Sequence, residues 1–270
     1  MSSLLQLRTR LRTIRNLNSI FEALEVVTVV RTKKVKEPFQ GLERYLAPLR
    51  EVLKGRVAEQ KLADKVLVVI TSNRGLCGGF NNQVIGKARE FLARNPGTKL
   101  VLLGRFGEAR FRKHAVPVAF ADHEIVEKTE PALVAELLKK LAGLKSEIYV
   151  AYNTYKSSVV QVPQLYRLYP VPAELASEQN PPEILLEPEP EELVEHLFAH
   201  FLSVRLFQIM LDSQMGELSA RLMVLNGAID TSKDITNKLT IQINKARQAA
   251  ITKDLLEIVS TAEALRSQDE

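Results

Sequence analysis

The sequence predicts a mixed fold: an α/β domain held between two long helices that pair with each other as an antiparallel coiled coil. Three observations predict it. The first is the stretch from about Glu191 to Leu265, which holds no proline. Its apolar residues recur at helical spacing, as in Ile251, Leu255, Ile258, Ala262 and Leu265, which puts one seam on one helix face. Gly216 and Gly227 are its only glycines, and an isolated glycine weakens a helix without ending it. At ~1.5 Å per residue, roughly 75 residues make a rod on the order of 110 Å long. Such a rod outreaches a small domain and needs a partner. The second observation is a similar seam at the other end of the chain. The third is a change of period between them, from helical spacing to short β-branched runs.

Taken in order, residues 3 to about 56 read as the first long helix. Leu4, Leu7, Leu11 and Ile14 form a heptad seam. Leu17, Ile20, Leu24 and Val27 continue it after an extra step of three, a stammer that overwinds a coiled coil locally. Phe21 also lies at the seam. Pro38 and Pro48 are expected to kink or break the later half. Lys65–Thr71 (KVLVVIT) reads as a buried strand, followed by a glycine-rich turn, Ser72–Phe80, and a helix over Asn81–Ala93. Lys99–Leu103 is a second strand closed by Gly104. A short helix over Phe106–His114 and a strand over Pro117–Phe120 follow. Pro131 sits well at the first turn of a helix to Leu141. Ile148–Tyr155 and Val159–Leu168 are strands that can pair. Alternating strands and helices imply a mostly parallel sheet. Residues 170–190 hold six of the twelve prolines, and Glu174 to Glu195 holds eight glutamates and no basic residue. The expected organisation is a first helix over 1–60, an α/β domain over 61–170, an acidic proline-rich connection over 171–190 and a second helix over 191–270.

Composition narrows the function classes. Residues 1–60 carry twelve Lys/Arg against six Asp/Glu, and residues 191–270 carry eight against twelve. A basic helix and an acidic one suit mutual pairing, although basic arms also bind nucleic acid or acidic protein surfaces. Cys77 is the sole cysteine, so no internal disulfide forms. The N-terminal MSSLLQLRTRLRTIR lacks the apolar core of a signal peptide and reads as the start of the helix. Apolar runs such as Val66–Ile70 are too short to span a bilayer.

Several patterns resemble chemistry. SNRGLCGGFN lies between a strand and a helix, where phosphate-binding loops sit. Its GxxGG spacing matches neither G-x-G-x-x-G nor G-x-x-x-x-G-K-[ST], so Gly75, Gly78 and Gly79 are expected to serve a tight turn and close packing. Cys77, inside that turn, could act as a nucleophile at a helix N-terminus, but no histidine is placed to serve it, and a packed residue is the expectation. His196 and His200 share a helix face at i, i+4, but HLFAH lacks the glutamate base of a zinc protease and a third ligand. No metal and no cofactor are expected. Arg8, Arg10, Arg12, Arg15, Arg31, Lys33, Lys34 and Lys36 could track phosphates, but no base-stacking aromatics accompany them, so a solvated or protein-facing surface is expected rather than nucleic acid. Asn244–Ile251 (NKARQAAI) departs from an ordinary seam. Small Ala246, Ala249 and Ala250 allow close approach, while Arg247 and Gln248 must find partners or face water.

Three stretches carry a family resemblance. NKARQAAITKDLLEIVSTAEAL (Asn244–Leu265) resembles the C-terminal signature of the gamma subunits of F-type ATP synthases. ELSARLMVLNGAIDTSKD (Glu217–Asp234) resembles the segment before it, and SNRGLCGGFN (Ser72–Asn81) is similar to the family's strand–turn signature. LEPEPEELVEHL (Leu186–Leu197) and VPQLYRLYP (Val162–Pro170) match secondarily. In Ile20–Val30 the chain departs: Leu24 stands where a methionine is typical, and Glu22 and Glu25 stand at positions commonly basic or polar. The paired-cysteine insertion of chloroplast relatives is absent.

The resemblance implies a central rotor shaft of the bacterial type. The terminal helices would form an antiparallel left-handed coiled coil inside a hexamer of three alpha and three beta subunits. A Rossmann-like α/β domain would meet the epsilon subunit and the membrane ring of c subunits, at the cytoplasmic face of the plasma membrane. Ion flow through the c ring would turn the shaft, drive ATP synthesis at the hexamer, and run in reverse on hydrolysis, with no catalytic site and no small-molecule substrate of its own. Matched by position, Arg247, Gln248, Thr252 and Asp254 would engage a beta-subunit loop. More loosely, Arg8, Arg12, Arg15, Arg31, Lys33 and Lys34 would face acidic beta segments. Two other classes stay open on the residues alone: a nucleotide-binding α/β enzyme with helical dimerisation arms, and a nucleic-acid-binding coiled coil.

Overall fold

The computed structural model of the chain describes residues 4–57, 59–113, 116–172, 175 and 190–266. Most of the acidic connection, and His114, lie outside them. The order of elements is α1 (Leu4–Leu53), β1 (Lys65–Ile70), α2 (Phe80–Arg94), β2 (Lys99–Leu103), α3 (Arg105–Phe111), β3 (Val118–Asp122), α4 (Pro131–Ala142), β4 (Glu147–Tyr155), β5 (Gln161–Tyr169) and α5 (Pro190–Arg266). The chain divides into two compact units, Thr28–Val224 and Met1–Val27 with Leu225–Glu270.

In the Thr28–Val224 unit the sheet order is β3-β2-β1-β4-β5. Its four leading strands are parallel and β5 returns antiparallel beside β4. A strand covered on both faces must be apolar throughout, and Val66–Ile70 is almost completely buried. Alternate residues face opposite sides. Val66, Val68 and Ile70 point into a core shared with Val134, Leu137 and Leu141 of α4, Leu46 and Leu53 of α1, and Phe201, Leu202, Leu206, Ile209 and Met210 of α5. Leu67 and Val69 point the other way, onto Val84, Ile85, Ala88 and Phe91 of α2 and Phe111 of α3. Helices therefore cover both faces of the sheet. The expected strand over Val159–Leu168 starts at Gln161 instead. Val159 and Val160 sit in the preceding turn, where Lys156 N–H and Ser157 N–H donate to Val160 O, and both side chains are exposed.

Pro38 and Pro48 do not end the first helix: α1 runs through both. A proline inside a helix costs about 3 kcal/mol. Both are on the exposed side, where a helix bends most readily. The opposite side buries Val35, Leu46 and Leu53, at ~1.5–3 kcal/mol for each fully buried side chain. Within this unit α1 and α5 run antiparallel. Val35 packs with Leu211, Met215 and Leu218, while Glu43 bonds Gln208 and Tyr45 meets His200.

In the other unit the seams of α1 and α5 match without a stammer. The less exposed residues of α1 are Leu4, Leu7, Leu11, Ile14, Asn18, Phe21, Leu24 and Glu25. Leu17, Ile20 and Val27, expected at the seam, are 39%, 53% and 49% exposed. On α5 the less exposed residues include Leu225, Ile229, Ser232, Thr236, Leu239, Ile243 and Ala246, flanked by Ala228, Ile235 and Thr240. Both step in fours and threes, the seven-residue repeat of a left-handed coil. The seam keeps its phase because its polar member is satisfied. Ser232 Oγ donates to Asn18 Oδ1 at 2.5 Å, and Asn18 Nδ2 donates to Glu22 Oε1 at 2.8 Å. With Asn18 level with Ser232, equal rise in antiparallel helices sets Leu4 level with Ala246. The seam expected further on therefore lacks cover from α1: Ile251, Leu255 and Ile258 are 52%, 58% and 65% exposed.

Gly104 is the glycine the fold needs most. Its φ is +98°, and a Cβ there would lie 2.1 Å from Thr71 O. Gly104→Ala is expected to destabilise the chain by more than about 3 kcal/mol. Gly227, inside α5 with open space around it, is the control, and Gly227→Ala should stabilise by about 0.5–1 kcal/mol. Urea unfolding of both variants checks this; equal effects would contradict it.

Candidate functional site

The turn after β1 is built by Ser72 and Asn81. Asn81 Oδ1 accepts the Ser72 N–H at 2.9 Å, and Asn81 Nδ2 donates to Ser72 Oγ at 2.7 Å. Ser72 Oγ donates in turn to Arg74 O at 2.7 Å. Cys77 is enclosed, with its Sγ 3.2 Å from Asn81 Nδ2. Burial pushes the Cys77 thiol up, which keeps it protonated and unsuited to nucleophilic attack. Of the three turn glycines, Gly78 has a positive φ, +55°, while Leu76 takes the other left-handed position at +62°. A side chain at Gly75 would meet nothing within 4 Å.

A nucleotide in an open α/β sheet would bind beyond the carboxyl ends of the strands, where the strand order reverses. Here that place lies between β1 and β4, and α5 occupies it. Gly216 lets the helix come close: a Cβ there would lie 3.3 Å from the Phe80 ring and 3.2 Å from Gln161. The space left among Ile70, Thr71, Phe80, Met210, Ser213 and Glu217 is about 10 Å³, room for about one water.

Polar side chains of α5 fasten it there. Asp212 Oδ1 accepts the Tyr155 N–H at 2.8 Å, beyond the end of β1's pairing with β4. Burial pushes the Asp212 carboxyl up to about 6, opposed by the Tyr155 N–H and the charges of Lys156 and Arg205. One turn further, Glu217 and Arg221 form a buried pair. Arg221 Nε donates to Gly75 O and Nη2 to Arg74 O, each at 3.3 Å, so α5 holds the backbone of the turn. Burial pushes the Glu217 carboxyl up while Arg221 and then Arg31 pull it back. Removing either member would leave a buried charge without its partner.

The residues singled out in the sequence fall in different places. Arg247, Gln248, Thr252 and Asp254 are all exposed on α5, beyond the seam it shares with α1. Thr252 Oγ1 donates back to Gln248 O at 2.9 Å. Arg8, Arg12 and Arg15 are exposed on the first part of α1. Arg31, Lys33 and Lys34 follow on α1 in the Thr28–Val224 unit; Lys33 and Lys34 are exposed and Arg31 is half-buried. His200 Nε2 lies 2.8 Å from Tyr45 Oη. Among the described residues, no three His, Cys, Asp or Glu side chains converge as a metal site, and no helix is long and apolar enough to cross a membrane. Sequence reasoning missed Asp212, Glu217 and Arg221 as individuals. Their signal was charge inside a mostly apolar stretch, MLDSQMGELSARLMVL.

The family model for ATP synthase matches residues 3–265. An ATP synthase gamma chain of Geotalea daltonii is 31% identical over 98% of this chain and all of that one. One from Pelotomaculum thermopropionicum is also 31% identical, with the same coverage. The chain belongs to the ATP synthase gamma-chain family. It is a central-stalk rotor subunit of an ATP synthase, a membrane-associated complex. Among solved structures, a chain of the Euglena gracilis mitochondrial ATP synthase (OSCP/F1/c-ring, rotational state 3) superposes with a TM-score of 0.78. It is 17% identical, over 99% of this chain and 96% of that one. A chain from the Tetrahymena thermophila mitochondrial ATP synthase central stalk and c-ring gives 0.58 at 16% identity, over 77% of this chain and 99% of that one. These two likenesses extend the family relation to the fold.

Because the folded chain holds the Asp212 proton more tightly than the unfolded chain does, this group's contribution is largest below the ordinary carboxylate range. It is lost as pH rises through about 6. Asp212→Asn keeps an oxygen for Tyr155 N–H and removes that loss. The variant is expected to be more stable than the parent by ~1–3 kcal/mol near pH 8, with a smaller difference near pH 5. Urea unfolding at the two pH values tests it, and a variant less stable at both would contradict it.

Proposed function

We propose that this gamma-chain relative couples ion flow to ATP turnover as a rotating shaft, with the catalysis carried out by its partners. The observation that carries this reading is the pairing of the two terminal helices through matched heptad seams, with α5 continuing beyond the seam as an exposed helix. Helices stiffened by pairing transmit torque, and an exposed single helix offers its faces to a surrounding collar. The collar is a hexamer of three alpha and three beta subunits. The α/β domain joins the epsilon subunit and the c ring, at the cytoplasmic face of a bacterial plasma membrane. Ion flow turns ring and shaft together. The shaft's uneven surface drives the three beta sites through their conformations in turn, and ATP hydrolysis drives the reverse rotation. Through the same contacts the shaft helps regulate ATPase activity and ion flow.

Arg247, Gln248, Thr252 and Asp254 are the residues that engage a beta-subunit loop. Their support is exposure together with mixed charge. A guanidinium, an amide, a hydroxyl and a carboxylate form directed hydrogen bonds that are made and broken as the shaft turns. Arg8, Arg12, Arg15, Arg31, Lys33 and Lys34 offer a basic surface to acidic collar segments. The domain division proposed with this reading is shaft helix over 1–60, α/β domain over 61–170, connection over 171–190 and shaft helix over 191–270. The chain needs no cofactor and no catalytic residue of its own. The seat of α5 beyond β1 and β4 supports this over a nucleotide-binding enzyme.

Coexpression with alpha and beta subunits is expected to yield a complex with one copy of this chain for three of each partner. A free monomer under those conditions would refute the reading. Within the assembled complex, Arg247→Ala with Gln248→Ala should lower turnover severalfold while assembly persists. Unchanged turnover would remove those two residues from the collar contact.

A further inference from the structure

The apolar contacts of α5 are non-directional, so by themselves they allow a helix to creep around its own axis under torque. Hydrogen bonds and ring contacts fix an angle. A connected set of them lies in the Thr28–Val224 unit, outside the residues assigned above to the collar. Gln208 of α5, 9% exposed, donates through Nε2 to Glu43 Oε2 of α1 at 3.1 Å. The other oxygen of Glu43 accepts from Arg50 Nη2 at 2.8 Å. Gln208 Oε1 accepts from Arg205 Nη1, and the Arg205 guanidinium carbon lies 4.8 Å from the centre of the Tyr166 ring on β5. One chain of contacts thus joins α1, α5 and the last strand of the sheet. Two turns before Gln208, His200 Nε2 and Tyr45 Oη meet at 2.8 Å, with their rings edge to face.

We infer that Glu43, Gln208, Arg205 and Tyr166 form a torsional clamp that fixes the angular setting of both long helices against the sheet, so that torque applied to the α/β domain reaches the helices without slip. The inference rests on the rotor reading. It makes these four positioning residues for energy coupling. Arg50 holds the carboxylate of Glu43, and Tyr45 with His200 provides a second fixed point between the same two helices.

The test uses the complete ATP synthase reconstituted in vesicles, with two readouts: ATP synthesis driven by an imposed ion gradient, and ATP hydrolysis. Gln208→Glu sets a carboxylate against Glu43 and breaks the clamp at its centre. Adding Glu43→Gln restores a donor–acceptor pair between the same positions with the polarity exchanged. The expected result is that Gln208→Glu lowers gradient-driven synthesis severalfold, while hydrolysis and the thermal midpoint of the complex change little. The double variant should recover most of the synthesis. Gln208→Leu, which keeps the packing volume and removes both hydrogen bonds, should behave like the single charged variant. Synthesis at the parental level in both single variants would overturn the clamp. So would a parallel fall of synthesis, hydrolysis and thermal midpoint that the exchanged pair fails to repair, because that is the signature of a merely structural contact. If the parent chain itself fails to assemble or couple, the rotor reading fails instead, and the two failures are distinguishable.

Discussion

The ends of this chain can act together only because their seams keep the same seven-residue phase. On α1 the seam runs from Leu4 to Glu25, and on α5 from Leu225 to Ala246. In a left-handed pair each step of seven returns a side chain to the partner, and a loss of phase would turn the apolar face to solvent. Holding phase here means accepting asparagine and serine in the seam. Asn18 and Ser232 satisfy each other, and a paired polar seam residue specifies register at some expense in stability. Leu17, Ile20 and Val27 are left outside as a consequence.

The same helix takes a different role in the Thr28–Val224 unit. There α5 is a core element, seated where an open α/β sheet would hold a nucleotide. Gly216 permits the approach, Asp212 and Arg221 secure it, and Arg221 reaches past the helix to hold the turn after β1. The crevice of the open sheet is filled by α5.

The strands were legible because burial on both faces demands continuous apolar runs, as in KVLVVI and KLVLL, and the turns between them carry glycine or proline. The long helices were legible from their periodicity. What was not legible depended on partners distant in sequence. An apolar-only reading of the seam moved it onto Leu17 and Ile20, because nothing near Asn18 in sequence announces Ser232. Pro38 and Pro48 looked like breaks because their cost is local, while the burial of Leu46 and Leu53 that outweighs it is tertiary. The apolar spacing from Ile251 onward looked like a seam, although α1 begins level with Ala246. At the candidate site, the glycine turn was visible, but its fastening by Arg221 lies 146 residues away. Gly104 looked like a strand terminator, and only its closeness to Thr71 shows why no other residue fits.

A rotor subunit must turn within its complex. Cys77 is buried, so a cysteine introduced at exposed Val159 offers a selective attachment point on the hairpin between β4 and β5. With the alpha–beta hexamer fixed to a surface and a bead attached at that cysteine, continuous rotation in one direction is expected on addition of ATP. A bead that stays still, or only jitters, on complexes that are hydrolysing ATP would contradict it.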